Sequence, residues 1–507
     1  MKRFYTVSVF LFIVGVVLLS GCRSPISVVE PAFTTVHIDV GGITDSRGVA
    51  RAVPQNVASF KLTITAEGMD TIEETFTGSS VTLEVLAGSA RTFTLIAYDS
   101  GGVKLYSGSK TVDLVAGEDT AVKIVMALLS ADKAILSFDF TTQNNPGLSD
   151  DSESIIHDGL KAVLAVVPLG SNITSLKPTI TVSAGATVSP ESGEAVDFSA
   201  GAVTYTVTAE NETTQEYTVN VTGNRLVVPD ATYYSGSGGR IVQINDMTGG
   251  GWTARDGTDL GLSVDSDFIP YDVDYDIYGR IYIANYHGTS GGILRLNSLD
   301  DTSPTTIVSD VGLVPAIAVD RVNSRVYYLA DKGSGYQINR CDYDGGSGYT
   351  FEYNFYDAYG LAIDEEGMLY VASSPDGGAI DKIDPSGEGS PLLEYWGLNN
   401  AWDVLYKSTY IYAADASSPG KVVRLTKDLA YVDELAGKPG VEDDFHGPHR
   451  FLAVLNKKFY LIDEDENEPD INNRLVSFDD ITGSGWKTYQ NGDDPFSFFN
   501  YYGGGLY

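Results

Sequence analysis

Residues 359–373 read YGLAIDEEGMLYVAS. An apolar strand (GLAID) runs into a polar turn, and a second strand (LYVAS) carries one tyrosine between small and branched apolar residues, which is a hairpin. The same hairpin stands at 314–331 as VPAIAVDRVNSRVYYLAD. Its second strand recurs along the chain as TYYSG (232–236), IYIAN (281–285), VYYLAD (326–331), LYVAS (369–373), IYAAD (411–415) and FYLID (459–463). The marker tyrosines Tyr233, Tyr282, Tyr327, Tyr370, Tyr412 and Tyr460 are 49, 45, 43, 42 and 48 residues apart. Each copy is followed by a further strand: RIVQIN, GILRLN, QINRCD, AIDKID, KVVRLT and RLVSFD. Three visible strands and a variable outer one at this period make a four-stranded propeller blade, and six copies make six blades. The fold class is all-β throughout, because period-two alternation and Gly, Asp and Asn turns recur from residue 33 onward.

The motifs YGLAIDEEGMLYVAS and VPAIAVDRVNSRVYYLAD resemble those of the NHL and YWTD families of six-bladed propellers. The resemblance covers 225–507 and implies the fold. It is nearly silent on chemistry, because these families include binding proteins, receptors and a few enzymes. An echo between VQINDMTGGGWTARDG (242–257) and VSFDDITGSGWKTYQNG (476–492) supports true repetition. The aromatic tail FSFFNYYGGGLY (496–507) is read as a final strand or packing flap at the seam of the ring. Cys341 falls in the slot filled elsewhere by Ile244, Leu296, Ile383, Leu425 and Phe478, so it is expected to pack as a small hydrophobe.

Two modules precede the propeller. From 33 to 129 come TVHIDV, SFKLTITAEG, SVTLEVLAG, TFTLIAYDSGG and TAVKIVMAL, with Phe60, Leu62 and Ile64 on one face and Lys61, Thr63 and Thr65 on the other. This spacing predicts an immunoglobulin-like β-sandwich; the basic stretch SRGVARAVP (46–54) is expected to be a solvated loop. Residues 131–223 resemble cadherin-like or bacterial immunoglobulin-like modules of exported proteins, on the strand rhythm and the YTVTAEN…YTVNV hairpin. That resemblance implies a spacer or an adhesive arm.

The amino end gives an address. Met1-Lys2-Arg3 precedes an apolar run from Val7 to Leu19, which as a helix spans roughly 20 Å against a hydrocarbon core of about 30 Å. That pattern is an export signal, 1–21. Leu19-Ser20-Gly21-Cys22 resembles the lipobox of bacterial lipoproteins, which implies acylation of Cys22 as the mature first residue and a tether over 22–32. Arg23 stands where that family often places an inner-membrane retention aspartate, so an outer-membrane or cell-surface destination in the envelope is expected. The net charge of −35 argues against nucleic acid as a partner.

Candidate chemistry gathers where chain enters each innermost propeller strand, at one mouth of the channel: Tyr271 and Asp272, Tyr356 and Tyr359, Trp402 and Asp403, and His446, His449 and Arg450. All four tryptophans and 26 of 31 tyrosines lie in the propeller. Flat aromatics with carboxylates bind sugars or peptides, though the marker tyrosines also suit blade packing. Metal signatures are poor. DEDENE (463–468) begins like a calcium loop, but Glu468 replaces its glycine and Arg474 its bidentate glutamate. His446 and His449 are separated by Gly-Pro, and DVDYD (272–276) leaves open which face looks inward. No cofactor, metal or catalytic set is therefore expected. A non-catalytic, lipid-anchored surface protein whose propeller binds a protein or glycan is the first expectation. An exported propeller enzyme of lactonase or lyase type, with a metal-assisted site at the channel mouth, is the second.

Overall fold

A computed structural model describes residues 32–44, 50–168, 170–223, 226–230, 239–244, 253–262, 268–287, 290–331, 333, 335–373, 378–387, 390–407, 409–417, 419–440, 444–451, 458–463 and 474–490. Cys22, the aromatic tail 496–507 and most of DEDENE lie outside them. Every regular element among the described residues is a strand. The chain divides into two compact units, Met1–Leu129 and Ser130–Tyr507.

In the first unit eight strands share one hydrogen-bonded network. Strand Phe33–Thr44 sits between two neighbours, antiparallel to Ser80–Leu86 and parallel to Thr120–Leu128. The sheet therefore wraps over a single core of Val36, Ile38, Leu62, Ile64, Phe93, Leu95, Val122 and Ile124. Phe60, Leu62 and Ile64 face that core while Lys61, Thr63 and Thr65 do not, as the alternation requires. Within the basic stretch, Ala50–Arg51 adds two residues of ladder to Ile43 and Thr44.

The second unit opens with a sandwich of a five-stranded sheet against the pair Ile135–Asp139 and Thr179–Val182. The hairpin Val203–Thr208 with Thr214–Gly223 places Tyr205 opposite Tyr217, both fully buried. Strand Ala162–Val167 is buried at every position. Val163, Ala165 and Val167 enter the sandwich core, whereas Ala162, Leu164 and Val166 join a cluster with Ile277, Tyr282, Val319, Val326 and Cys341 of the propeller. An unbroken apolar run needs cover on both faces, and here the second cover is the next architecture along the chain.

Six sheets follow in order. Five have four antiparallel strands, and the first shows three among the described residues: Leu226–Asp230, Arg240–Ile244 and Thr253–Asp256. The innermost strands of the other five are Pro270–Tyr275, Ile317–Asp320, Ala358–Ile363, Ala401–Lys407 and Pro448–Phe451. Register corrects one reading. Leu226 pairs with Ile244 as Ile281 pairs with Leu296, so LVVPD occupies the marker place of the first repeat and Val227 the tyrosine slot. TYYSG (232–236) lies outside the described residues. Terminal repeats of a ring or stack are atypical because they meet a different neighbour.

The marker tyrosines hold blades together. Tyr282 Oη donates to Asp276 Oδ2 (3.2 Å) in its own hairpin or to the Tyr343 carbonyl (3.1 Å) in the next blade. Tyr370 Oη repeats this with Asp364 Oδ2 and the Lys427 carbonyl, both at 3.0 Å. Cys341 is buried in the same inter-blade layer, and burial pushes its thiol up to about 12.

A candidate binding mouth on the propeller

Four innermost strands carry the same irregularity at the same place. The ladder slips between Pro270 and Asp272, Ala358 and Gly360, Ala401 and Asp403, and Pro448 and Arg450. The extra residues are Tyr271, Tyr359, Trp402 and His449. A bulge re-aims the side chain it carries, and these four bulges carry four rings at one end of the channel. Tyr359 stacks on Trp402 with centroids 4.7 Å apart and planes at 19°, and His449 meets Trp402 edge-on at 4.6 Å. Tyr336 extends the row, 6.0 Å from Tyr359. Tyr271, Tyr359 and Trp402 are half-buried, leaving part of each ring open. The indole Nε1 of Trp402 is enclosed and has no partner among the described residues.

Below the rings, Asp272 and Asp403, each the residue after a bulge, line the channel. Asp272 Oδ2 accepts the Ile317 N–H at 2.9 Å while Oδ1 accepts the Val273 N–H at 2.8 Å. Asp403 does the same with Phe451 (2.8 Å) and Val404 (2.9 Å). Asp274 repeats it one pleat further in, with Val319 and Tyr275, both at 2.7 Å, and also pairs with Arg321. Innermost strands of adjacent blades are not in one ladder, so each carboxylate clasps two blades by satisfying backbone donors that the bulge or the blade edge leaves open. Arg450, 4% exposed, reaches Asp272 Oδ1 at 3.4 Å. Burial raises the pKa of both Asp272 and Asp403, and the Arg450 guanidinium opposes that shift. At the equivalent position of the fourth blade, a Cβ on Gly360 would lie 2.5 Å from Asp403 Oδ1, so only glycine admits the neighbouring strand there. The channel between these strands holds a cavity of about 130 Å³.

Seven of the nine mouth residues read from the sequence thus gather in one place: Tyr271, Asp272, Tyr359, Trp402, Asp403, His449 and Arg450. Tyr356 does not join them and is 74% exposed. His446 precedes the bulged strand, half-buried, with Nδ1 enclosed and unpartnered among the described residues. His449 is buried, its Nδ1 lies 2.7 Å from the Gly447 carbonyl, and burial lowers its pKa to about 4. DVDYD resolves with Asp272 and Asp274 both lining the cavity. Asp463, the first residue of DEDENE, is engaged by Arg474 Nε at 2.7 Å and the Gly447 N–H at 2.9 Å. Sequence reasoning missed Tyr336, Asp331 and Asp357. They occupy places in one blade only, so the repeat gave no signal for them. Asp357, next to Tyr356, lies 3.4 Å from the Tyr359 hydroxyl.

In sequence, the family model described as "SGBP, N-terminal" matches residues 135–221, the second sandwich. No curated protein matches the chain. Solved structures that are similar include that of a nidogen–laminin complex, with 17% identity, 53% of this chain and 93% of that chain covered, and a TM-score of 0.41. A Bacteroides caccae protein of unknown function gives 13%, 53%, 93% and 0.40 on the same measures. TolB from Acinetobacter baumannii gives 11%, 57%, 76% and 0.39.

Proposed function

We propose that this chain is a non-catalytic surface glycan-binding protein, held to the cell envelope by lipid on Cys22, with the propeller mouth as its sugar site. The family match over 135–221 carries the reading, since SGBP denotes the surface glycan-binding proteins of Bacteroides. The mouth supplies what such a ligand needs. Its open ring faces stack on sugar C–H faces, and neighbouring carboxylates accept hydroxyl hydrogens.

Placement agrees with presentation outward. The hairpin 276–280 joins the first two strands of the second blade at the end away from its bulge. A Cβ on Gly279 in that hairpin would sit 4.0 Å from Leu164 Cδ1 of the sandwich. The sandwich therefore meets the propeller on the side opposite the rings, which leaves the mouth unobstructed by it.

The enzyme reading asks for carboxylates free to move protons or hold an ion. Asp272, Asp274 and Asp403 instead each accept two backbone N–H groups, which fits a structural role better than an acid–base one. A tightly held divalent ion, one per purified chain, would favour the enzyme.

The test is a polysaccharide binding screen with the purified chain, followed by titration of the Trp402→Ala variant. Saturable binding that weakens at least tenfold in the variant, with an unchanged far-ultraviolet spectrum, is expected. Binding that survives Trp402→Ala intact would place the sugar elsewhere.

A further inference from the structure

We infer that the mouth accepts neutral or amine-bearing glycans and rejects uronate and sulfated chains of the same length. This rests on the glycan reading above and adds the charge class of the ligand.

The groups around the rings carry it. Tyr336, Tyr359, Trp402 and His449 form a continuous row. Asp357 touches the Tyr359 hydroxyl at 3.4 Å, and Asp331 pairs in register with Tyr336 across its hairpin. Both carboxylates are half-buried beside the row. Burial raises the Tyr336 phenol, and Tyr359, Asp331, Asp357 and Tyr271 add to the effect in that order, so all four lie within electrostatic reach of one hydroxyl.

Among the described residues around the rings, positive charge is already engaged. Arg450 is buried against Asp272 and in the field of Asp403, and its Nη2 also donates to the Tyr359 carbonyl at 3.5 Å. His449 is neutral at pH 7, because burial holds its pKa near 4. Within the row of rings, the uncharged Trp402 Nε1 is an enclosed donor with no partner among the described residues. Sugar hydroxyls can give hydrogens to Asp331 and Asp357 and take one from Trp402. A carboxylate or sulfate on the sugar would meet two like charges with no free cation from these groups, a repulsion strengthened by partial burial.

The experiment titrates the full chain with matched pairs: neutral galactan against polygalacturonate, and neutral mannan against alginate, at about 0.15 M salt. Binding of a neutral member with its uronate partner at least tenfold weaker is expected. Asp357→Asn should then raise uronate affinity several-fold, whereas Glu84→Gln, an exposed change in the first unit, should leave it unmoved. Uronate bound as tightly as its neutral partner would overturn this inference and leave the glycan reading standing. Equal relief by Glu84→Gln would assign the rejection to net charge rather than to the mouth, and would also overturn it. A chain that binds neither class would overturn the glycan reading itself.

Discussion

Asp403 accepts backbone N–H groups from two blades and lies beside a buried guanidinium. Asp403→Ala strands both donors and leaves Arg450 with one carboxylate fewer, so a loss of about 3–5 kcal/mol in urea unfolding is expected. A loss below about 1 kcal/mol would show that the clasp is dispensable. Asp381 gives a pH-dependent case. It is buried, it accepts the Ser373 hydroxyl at 2.7 Å, and burial raises its pKa to about 6. The folded state holds this proton more tightly than the unfolded chain does, so the group favours folding increasingly as pH falls from about 6 towards 4 and opposes it above 6. Asp381→Asn should raise stability at pH 7.5 by on the order of 2–3 kcal/mol and change it little at pH 4. Equal destabilisation at both values would contradict this. At this scale the ring residues were legible, because an aromatic ring recurs where four of the innermost strands begin. The clasp was not, since alternation in DVDYD does not reveal which carboxylates meet a neighbouring blade.

At the scale of elements, the repeat period gave strands, order and sheet count, and the register of Cys341 in its slot. It misplaced the marker of the first repeat, where Val227 fills a site that a tyrosine occupies elsewhere. The bulges were not legible, because a bulge sets two residues of one strand against one of its partner, and only the pairing register reveals that count. Strand Ala162–Val167 was legible only as apolar. That its two faces serve two architectures follows from cover, which a single strand does not encode. Leu164→Ala should cost about 2–4 kcal/mol and split the calorimetric transition of the second unit into sandwich and propeller components. A single transition at an unchanged temperature would mean the shared layer does not couple them.

For the whole molecule, the net charge of −35 argues against nucleic acid as a partner, and the proposed ligand class rests on the family match over 135–221, because the propeller pattern carries none. The account makes the mouth the contact point, with the sandwich on the far side and stacked aromatics as the platform. The most direct test is a crystal structure of the chain with the oligosaccharide that binds it best. The account predicts sugar rings lying against Trp402 and Tyr359, with hydroxyls within hydrogen-bond distance of Asp357. An empty mouth with the sugar seated on residues 135–221 would contradict it.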